Sequence, residues 1–162
     1  MSPEPAIRRA TAADIDVIHA LLEQLASSMG QQHRFRGRAA DFLRFGFSDQ
    51  PHFEALLAEQ DGAIIGLCLY FYNFSSWRGE LGVYIQDLVV DQRVRTRGTG
   101  RALVRETVRQ AQRRGATHLR LSVEKDNEGA IRFYEKIGLK QSASECIFAA
   151  VDDDFQKLAE TS

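Results

Sequence analysis

The chain has 162 residues, 44% apolar and 27% charged, with a formal net charge of −1 at pH 7. That length is enough to bury a core in a single domain, expected over 1–162, while the near-neutral charge argues against a general nucleic-acid coat, since such domains are strongly basic. No apolar run approaches the roughly 20 residues a membrane-spanning helix needs, and the opening MSPEPAIRRATAAD lacks the apolar core of a signal peptide, so the cytoplasm is the expected address.

In chain order, IRRA reads as a short strand. Thr11 and Asp14 then resemble a capping box, with Asp as a shorter partner than the usual Glu or Gln. Ile15, Ile18, Leu22 and Leu25 mark one face of a helix running to about Ala26. Residues 27–38 read as a loop, followed by a short helix over Asp41–Phe47 that SDQP ends. Two apolar runs around Asp61-Gly62 predict a hairpin with a type I′ turn, and LGVYIQDLVV is the next long strand. Thr99–Arg114 is helical, with Leu103, Val104, Thr107, Val108 and Ala111 on one side and Gly115 just past its end. THLRLSV returns as a strand, so 81–123 form a strand–helix–strand crossover. A compact helix over DNEGAIRFYEKIG carries Ala130, Phe133, Tyr134 and Ile137 on one face, with Gly138 as its stop. Two short strands, about 139–142 and 145–151, complete an α+β or mixed α/β fold. Cys68 and Cys146 lie in strand-like runs and form neither a disulfide framework nor a zinc site, and no metal is expected.

The distinctive segment is RVRTRGTGR, in which Arg93, Arg95, Arg97 and Arg101 crowd around Gly98 and Gly100 at the start of a helix. A helix N-terminus exposes unpaired N–H groups and about half a positive charge, which suits a phosphate. Glycines let an anion approach the backbone, and arginines add forked donors. The segment therefore describes a pyrophosphate cradle. Read alone, it is equally a solvated turn with surface arginines: it lacks the third glycine of a dinucleotide fingerprint and the Gly-Lys-Ser/Thr of a P-loop. The second feature is the pair Asn127 and Tyr134, seven residues and so about two helical turns apart. Tyr134 on such a face also reads as a core residue with its hydroxyl at the edge.

RTRGTG after DLVV, followed by NEGAIRFYEKIGL, resembles the GNAT superfamily of N-acetyltransferases, through their Arg/Gln-x-x-Gly-x-Gly/Ala loop and their Asn-x-x-Ala-x-x-Phe-Tyr helix. The likeness extends over nearly the whole chain and is similar to the diamine acetyltransferase branch. It implies a central mixed, mostly antiparallel sheet of about seven strands with a splayed parallel pair, flanked by about four helices. It also implies acetyl-CoA as cosubstrate, a small-molecule amine acceptor, no nucleic-acid or membrane partner, and a homodimer. By the same resemblance, Arg95, Thr96, Arg97, Gly98, Thr99, Gly100 and Arg101 hold the pyrophosphate. The edge backbone of Leu88, Val89 and Val90 pairs with the pantetheine arm, Asn127 binds that arm from the other side, an N–H near Leu88 meets the oxyanion, and Tyr134 protonates the departing thiolate.

Two positions depart from the branch. Gln86 stands where those enzymes carry Glu, and Met29 stands where an ungapped alignment places their acid after the first helix. Gln cannot act as a base or offer charge to an ammonium, so the expected acceptor is an amine less cationic than a polyamine. Asp87 remains, turned away from Gln86 by strand alternation unless a bulge intervenes. His33 in the 27–38 loop is a candidate proton relay or a plain exposed histidine, His118 faces solvent or a helix, and Glu80 and Glu145 are weaker acceptor contacts. Direct attack in a ternary complex is expected, since neither cysteine has a histidine partner nearby in sequence. The competing readings are a non-catalytic acyl-CoA sensor, which Gln86 would suit, and a protein-interaction domain.

Overall fold

A computed structural model of the chain describes residues 4–94 and 98–160. They fall into two compact units, one ending at Ser122 and one beginning at Val123.

The first unit is a five-stranded sheet, β1 (Ala6–Arg9), β2 (Glu54–Gln60), β3 (Ala63–Ser75), β4 (Glu80–Val90) and β5 (His118–Leu121), ordered as in sequence. All pairs are antiparallel except β4–β5. The sheet carries helices α1 (Ile15–Ser28), α2 (Ala39–Gly46) and α3 (Thr99–Arg113). Asp61 and Gly62 both have positive φ, 51° and 75°, which is the type I′ geometry expected of Asp-Gly between β2 and β3. At the entry to α1 the Asp14 carboxylate accepts from the Thr11 N–H at 2.7 Å and the Thr11 hydroxyl at 3.0 Å. Arg8 closes on the same carboxylate with two bonds of 2.8 and 2.9 Å, holding Asp14 well below the usual carboxylate range.

Alternation along the strands sorts the core into two faces. Ala55, Leu57, Leu67, Leu69 and Val89 pack with Ile18, Leu21 and Leu22 of α1, and Phe42 of α2 joins at the edge. Each of the buried leucine, isoleucine and valine side chains stabilises the fold by about 1.5–3 kcal/mol relative to exposure. On the opposite face α3 lies over the sheet, with the Thr107 hydroxyl donating to Cys68 Sγ at 3.2 Å. Gly66 sets how close α3 comes: a Cβ there would lie 3.0 Å from Leu103 Cδ1, 3.1 Å from Val89 O and 3.2 Å from Thr99 Cγ2. The first turn of α3 is thus seated on the backbone where β4 ends.

In the second unit α4 spans Glu128–Lys136 and α5 spans Asp153–Glu160. The strands expected at about 139–142 and 145–151 are absent, so the sheet has five strands rather than about seven. A strand exists only where a neighbouring ladder takes its N–H and C=O groups. This segment, apolar enough to look like a strand, has no such ladder and leaves Ile147, Phe148 and Val151 exposed. Helix α5 was not evident from the sequence pattern. Among the described residues no helix is long and apolar enough to cross a membrane, and no three His, Cys, Asp or Glu residues are grouped to hold a metal.

Candidate active site

Between β4 and α3 the chain makes a one-turn 3-10 helix, Gln92–Val94. Buried Asp91 organises it, accepting from the Arg93 backbone N–H at 2.9 Å and from its guanidinium at 2.6 and 3.1 Å. Arg93, one of the four arginines of the motif, is therefore committed to Asp91 and raised above its ordinary pKa by it. Arg95, Thr96 and Arg97 lie outside the described residues. Helix α3 then opens at Gly98, whose φ of +81° is open to glycine at little cost and which makes no side-chain cap. A Cβ at Gly98 would meet nothing within 4 Å, so the glycine serves backbone conformation here. The first helical bond runs from the Ala102 N–H to Gly98 O at 2.9 Å. The N–H groups of Gly98, Thr99, Gly100 and Arg101 thus precede the ladder, at the positive end of a 15-residue helix with no acidic residue in its first turn. Thr99 is buried, its hydroxyl without a partner among the described residues, while Arg101 is exposed. An opening of this kind can hold an anion.

The adjoining strand has two properties of its own. Its parallel ladder with β5 covers only Gly82–Ile85 against His118–Leu121, whereas its antiparallel ladder with β3 continues to Val90. Leu88, Val89 and Val90 are therefore paired with Cys68, Leu67 and Gly66, and β5 does not extend alongside them. This is the limited parallel pairing that a splayed strand pair requires. The second property is a bulge: Asp87 opposes Leu69 and Ile85 opposes Tyr70, leaving Gln86 as the extra residue. Leu69 belongs to the α1-side face, so Asp87 does too. Counting from Tyr84, which stacks on Phe71 of the same face at 5.1 Å and 25°, Gln86 falls there as well. The bulge that alternation alone could not supply has turned Gln86 and Asp87 to one side. The Asp87 carboxyl has no hydrogen bond or ion pair among the described residues, and burial alone pushes its pKa up to about 6.

The other candidates are more dispersed. Met29 follows α1, 37% exposed, its N–H bonded to Leu25 O at 3.2 Å. His33 is exposed in a 3-10 turn, Gln32–Arg34. A shallow groove beside this loop is lined by Glu23, Gln24, Ser27, Gln32 and Phe35, and neither Met29 nor His33 lines it. His118 is half-exposed, and its ring lies across Gly82 of the next strand, where a Cβ would sit 2.2 Å from its Nε2. Glu80 is held by the Thr117 hydroxyl at 2.5 Å and by Arg78 at 3.0 Å, which lowers its pKa. Sequence reasoning missed the Phe71–Tyr84 stack; its only signal was an aromatic on each strand of the hairpin.

In the second unit Asn127 is the N-cap of α4, its side-chain oxygen accepting from the Ala130 N–H at 3.1 Å. That bond commits the oxygen and leaves the amide N–H groups as the ends able to bind a ligand carbonyl. Ala130, Phe133, Tyr134 and Ile137 form the half-buried side of the helix, with the Phe133 and Tyr134 rings 5.1 Å apart, and Gly138 ends it with φ +104°. Glu145 is exposed.

The sequence profile of the acetyltransferase (GNAT) family matches residues 18–139. The thialysine N-epsilon-acetyltransferase of Mus musculus is 27% identical over 140 residues, covering 82% of each chain. The aminoalkylphosphonate N-acetyltransferase of Salmonella typhimurium is 31% identical over 141 residues, covering 84% of this chain and 85% of its own. Among solved structures, an integron cassette protein from the mobile metagenome of V. cholerae shares the fold, with a TM-score of 0.81 at 19% identity over 99% of this chain and 100% of that one. The chain therefore belongs to the acetyltransferase (GNAT) family, and it is an N-acetyltransferase.

Proposed function

We propose that the chain transfers the acetyl group of acetyl-CoA to a small primary amine by direct attack in a ternary complex, and that its acceptor is less cationic than a polyamine. The observation that carries this reading is the opening of α3 at Gly98, which has no side-chain cap among the described residues and is seated where the β4 edge loses its parallel neighbour. The N–H groups of Gly98 to Arg101 suit a pyrophosphate, with Arg95, Thr96 and Arg97 as the other members of that loop. The backbone of Leu88, Val89 and Val90 suits an extended amide-bearing arm, to which Asn127 would donate. An N–H at Leu88 aimed at the oxyanion would supply about 3–4 kcal/mol of transition-state stabilisation. Tyr134 supplies a phenol, a group whose reference pKa in water matches protonation of an alkyl thiolate.

Acceptor choice follows from charge. Polyamine recognition calls for carboxylates, and Gln86 and Met29 offer none. Asp87 is the one carboxylate at the β4 bulge, enough for a single ammonium. Thialysine and an aminoalkylphosphonate, the acceptors for which two relatives are named, are both amines. Met29, His33 and Gln86 are proposed as acceptor-side residues. The chain is further proposed to work in the cytoplasm as a homodimer, a state that the exposed Ile147, Phe148, Phe155 and Leu158 would help to explain and that light scattering in solution would test.

The test is thiol release from acetyl-CoA over a panel of monoamines, amino acids and polyamines. Turnover with monoamines well above polyamines is expected. Tight CoA binding with no turnover of any amine would replace this reading with that of an acyl-CoA sensor.

A further inference from the structure

An alkyl ammonium with a pKa of about 10.4 is neutral in only about one molecule in 2,500 at pH 7, so amine transfer needs a proton acceptor. The residue in the branch position, Gln86, cannot be one. From the bulged register of β4 we infer that the proton acceptor is its neighbour, Asp87, moved onto the acceptor-facing side of the strand by the extra residue. This rests on the acetyl-transfer reading above and names the base within it.

Three observations support the assignment. Register places Asp87 opposite Leu69 and on the same face as Gln86, Tyr84 and Phe71, so a base one residue further along the strand still faces the same side. Its side chain is half-buried, yet no donor or cation among the described residues satisfies it. Structural aspartates in this fold look different: Asp14 holds Arg8, Asp41 holds Arg38 and Asp91 holds Arg93. A half-buried carboxylate with no partner among the described residues lacks its counter-charge, and an incoming ammonium would supply it.

The surroundings do not provide another source. Helix α1 turns Ile18, Leu21 and Leu22 to this face, and its His19 is bonded to Gly37 O at 3.0 Å between Phe35 and Phe42. On α2, Asp41 is tied to Arg38, and Phe42 is the packing residue. Cys68 of β3 lies on the reverse face bonded to Thr107, and its thiol is pushed up to about 12 by burial, with a smaller contribution from Asp87. Register sets Arg120 and His118 of β5 beside Tyr84 and Gly82, one and two rows away, and neither lowers Asp87. Half-protonation at about pH 6 rather than 3.8 means that the carboxylate holds a proton about a hundredfold more tightly than an exposed aspartate. It remains ionised at neutral pH. The proton of the ammonium passes to Asp87, the freed lone pair forms the C–N bond, and the C–S bond breaks as the tetrahedral adduct collapses. The second nitrogen proton leaves with the departing thiolate, and Asp87 returns its proton to water.

The experiment compares Asp87→Asn with the unaltered chain on two acceptors: a simple alkylamine, protonated at the assay pH, and trifluoroethylamine, largely neutral there. General-base loss typically costs about 10²–10⁴-fold. Asp87→Asn is expected to lose kcat/KM by about that factor on the alkylamine, to lose less than about fivefold on trifluoroethylamine, and to abolish the acidic limb near pH 6. Circular dichroism of the variant checks that it is folded, and Asp87→Glu is expected to recover part of the alkylamine rate. Equal losses on both amines, or an unchanged alkylamine rate, would overturn the assignment alone. No turnover of any amine by the unaltered chain would overturn the acetyl-transfer reading and this one with it.

Discussion

Asp87 should cost the protein stability, and the size of that cost can be worked out. Its carboxyl ionises near pH 3.8 when the chain is unfolded and at about 6 when folded, with burial as the cause. Between those values the folded chain holds the extra proton, so stability falls as pH rises through the window. Above pH 6 the penalty is complete: a little over two pH units at about 1.36 kcal/mol each gives about 3 kcal/mol. Replacing Asp87 with Asn removes the charge and should stabilise the fold by up to about 3 kcal/mol at pH 8. The gain is less than that by whatever the buried amide costs without partners. In a chain of this size it corresponds to a Tm rise of roughly 6–12 °C. At pH 3.5 both side chains are essentially neutral and the difference should vanish. Urea unfolding followed by circular dichroism at half-unit steps from pH 3.5 to 8 measures it. A variant no more stable than the parent at pH 8, or one equally stabilised at both ends of the range, would refute the reasoning. A gain in stability beside a loss of activity is the trade expected where a functional group is held against its own solvation.

Other substitutions probe the remaining parts of the site. Tyr134→Phe should lower kcat at least tenfold and leave acetyl-CoA affinity within about twofold, read by steady-state kinetics and calorimetry. Gly98→Ala meets no steric clash but strains the +81° φ by about 1–2 kcal/mol, so it should loosen the α3 opening and raise KM for acetyl-CoA more than it changes kcat. Gln86→Glu restores an acid beside Asp87 and should bring measurable turnover of spermidine-like amines, checked with the same thiol assay.

Local chemistry was the most legible part of the sequence. Asp-Gly between apolar runs specified the β2–β3 turn, and Gly98 and Gly115 bracketed α3, because positive φ has few other hosts. The Arg93–Asp91 pair was not legible, because nothing in the two-residue spacing shows that this carboxylate is buried. The bulge at Gln86 was equally hidden: VYIQDLVV alternates well enough to be read as a regular strand, and only pairing with β3 reveals the extra residue. The segment 139–151 failed for the opposite reason. Its residues suit a strand, but strand formation depends on a neighbour that no local pattern encodes.

The most direct measurement is the amide NMR response to CoA. If the opening of α3 receives the pyrophosphate, titration should shift the N–H signals of Gly98, Thr99, Gly100 and Arg101 strongly, together with those along Leu88 to Val90. Signals in β1 and β2 should stay within the noise. Saturable CoA binding that leaves the Gly98–Arg101 amides unmoved would contradict the account at its base.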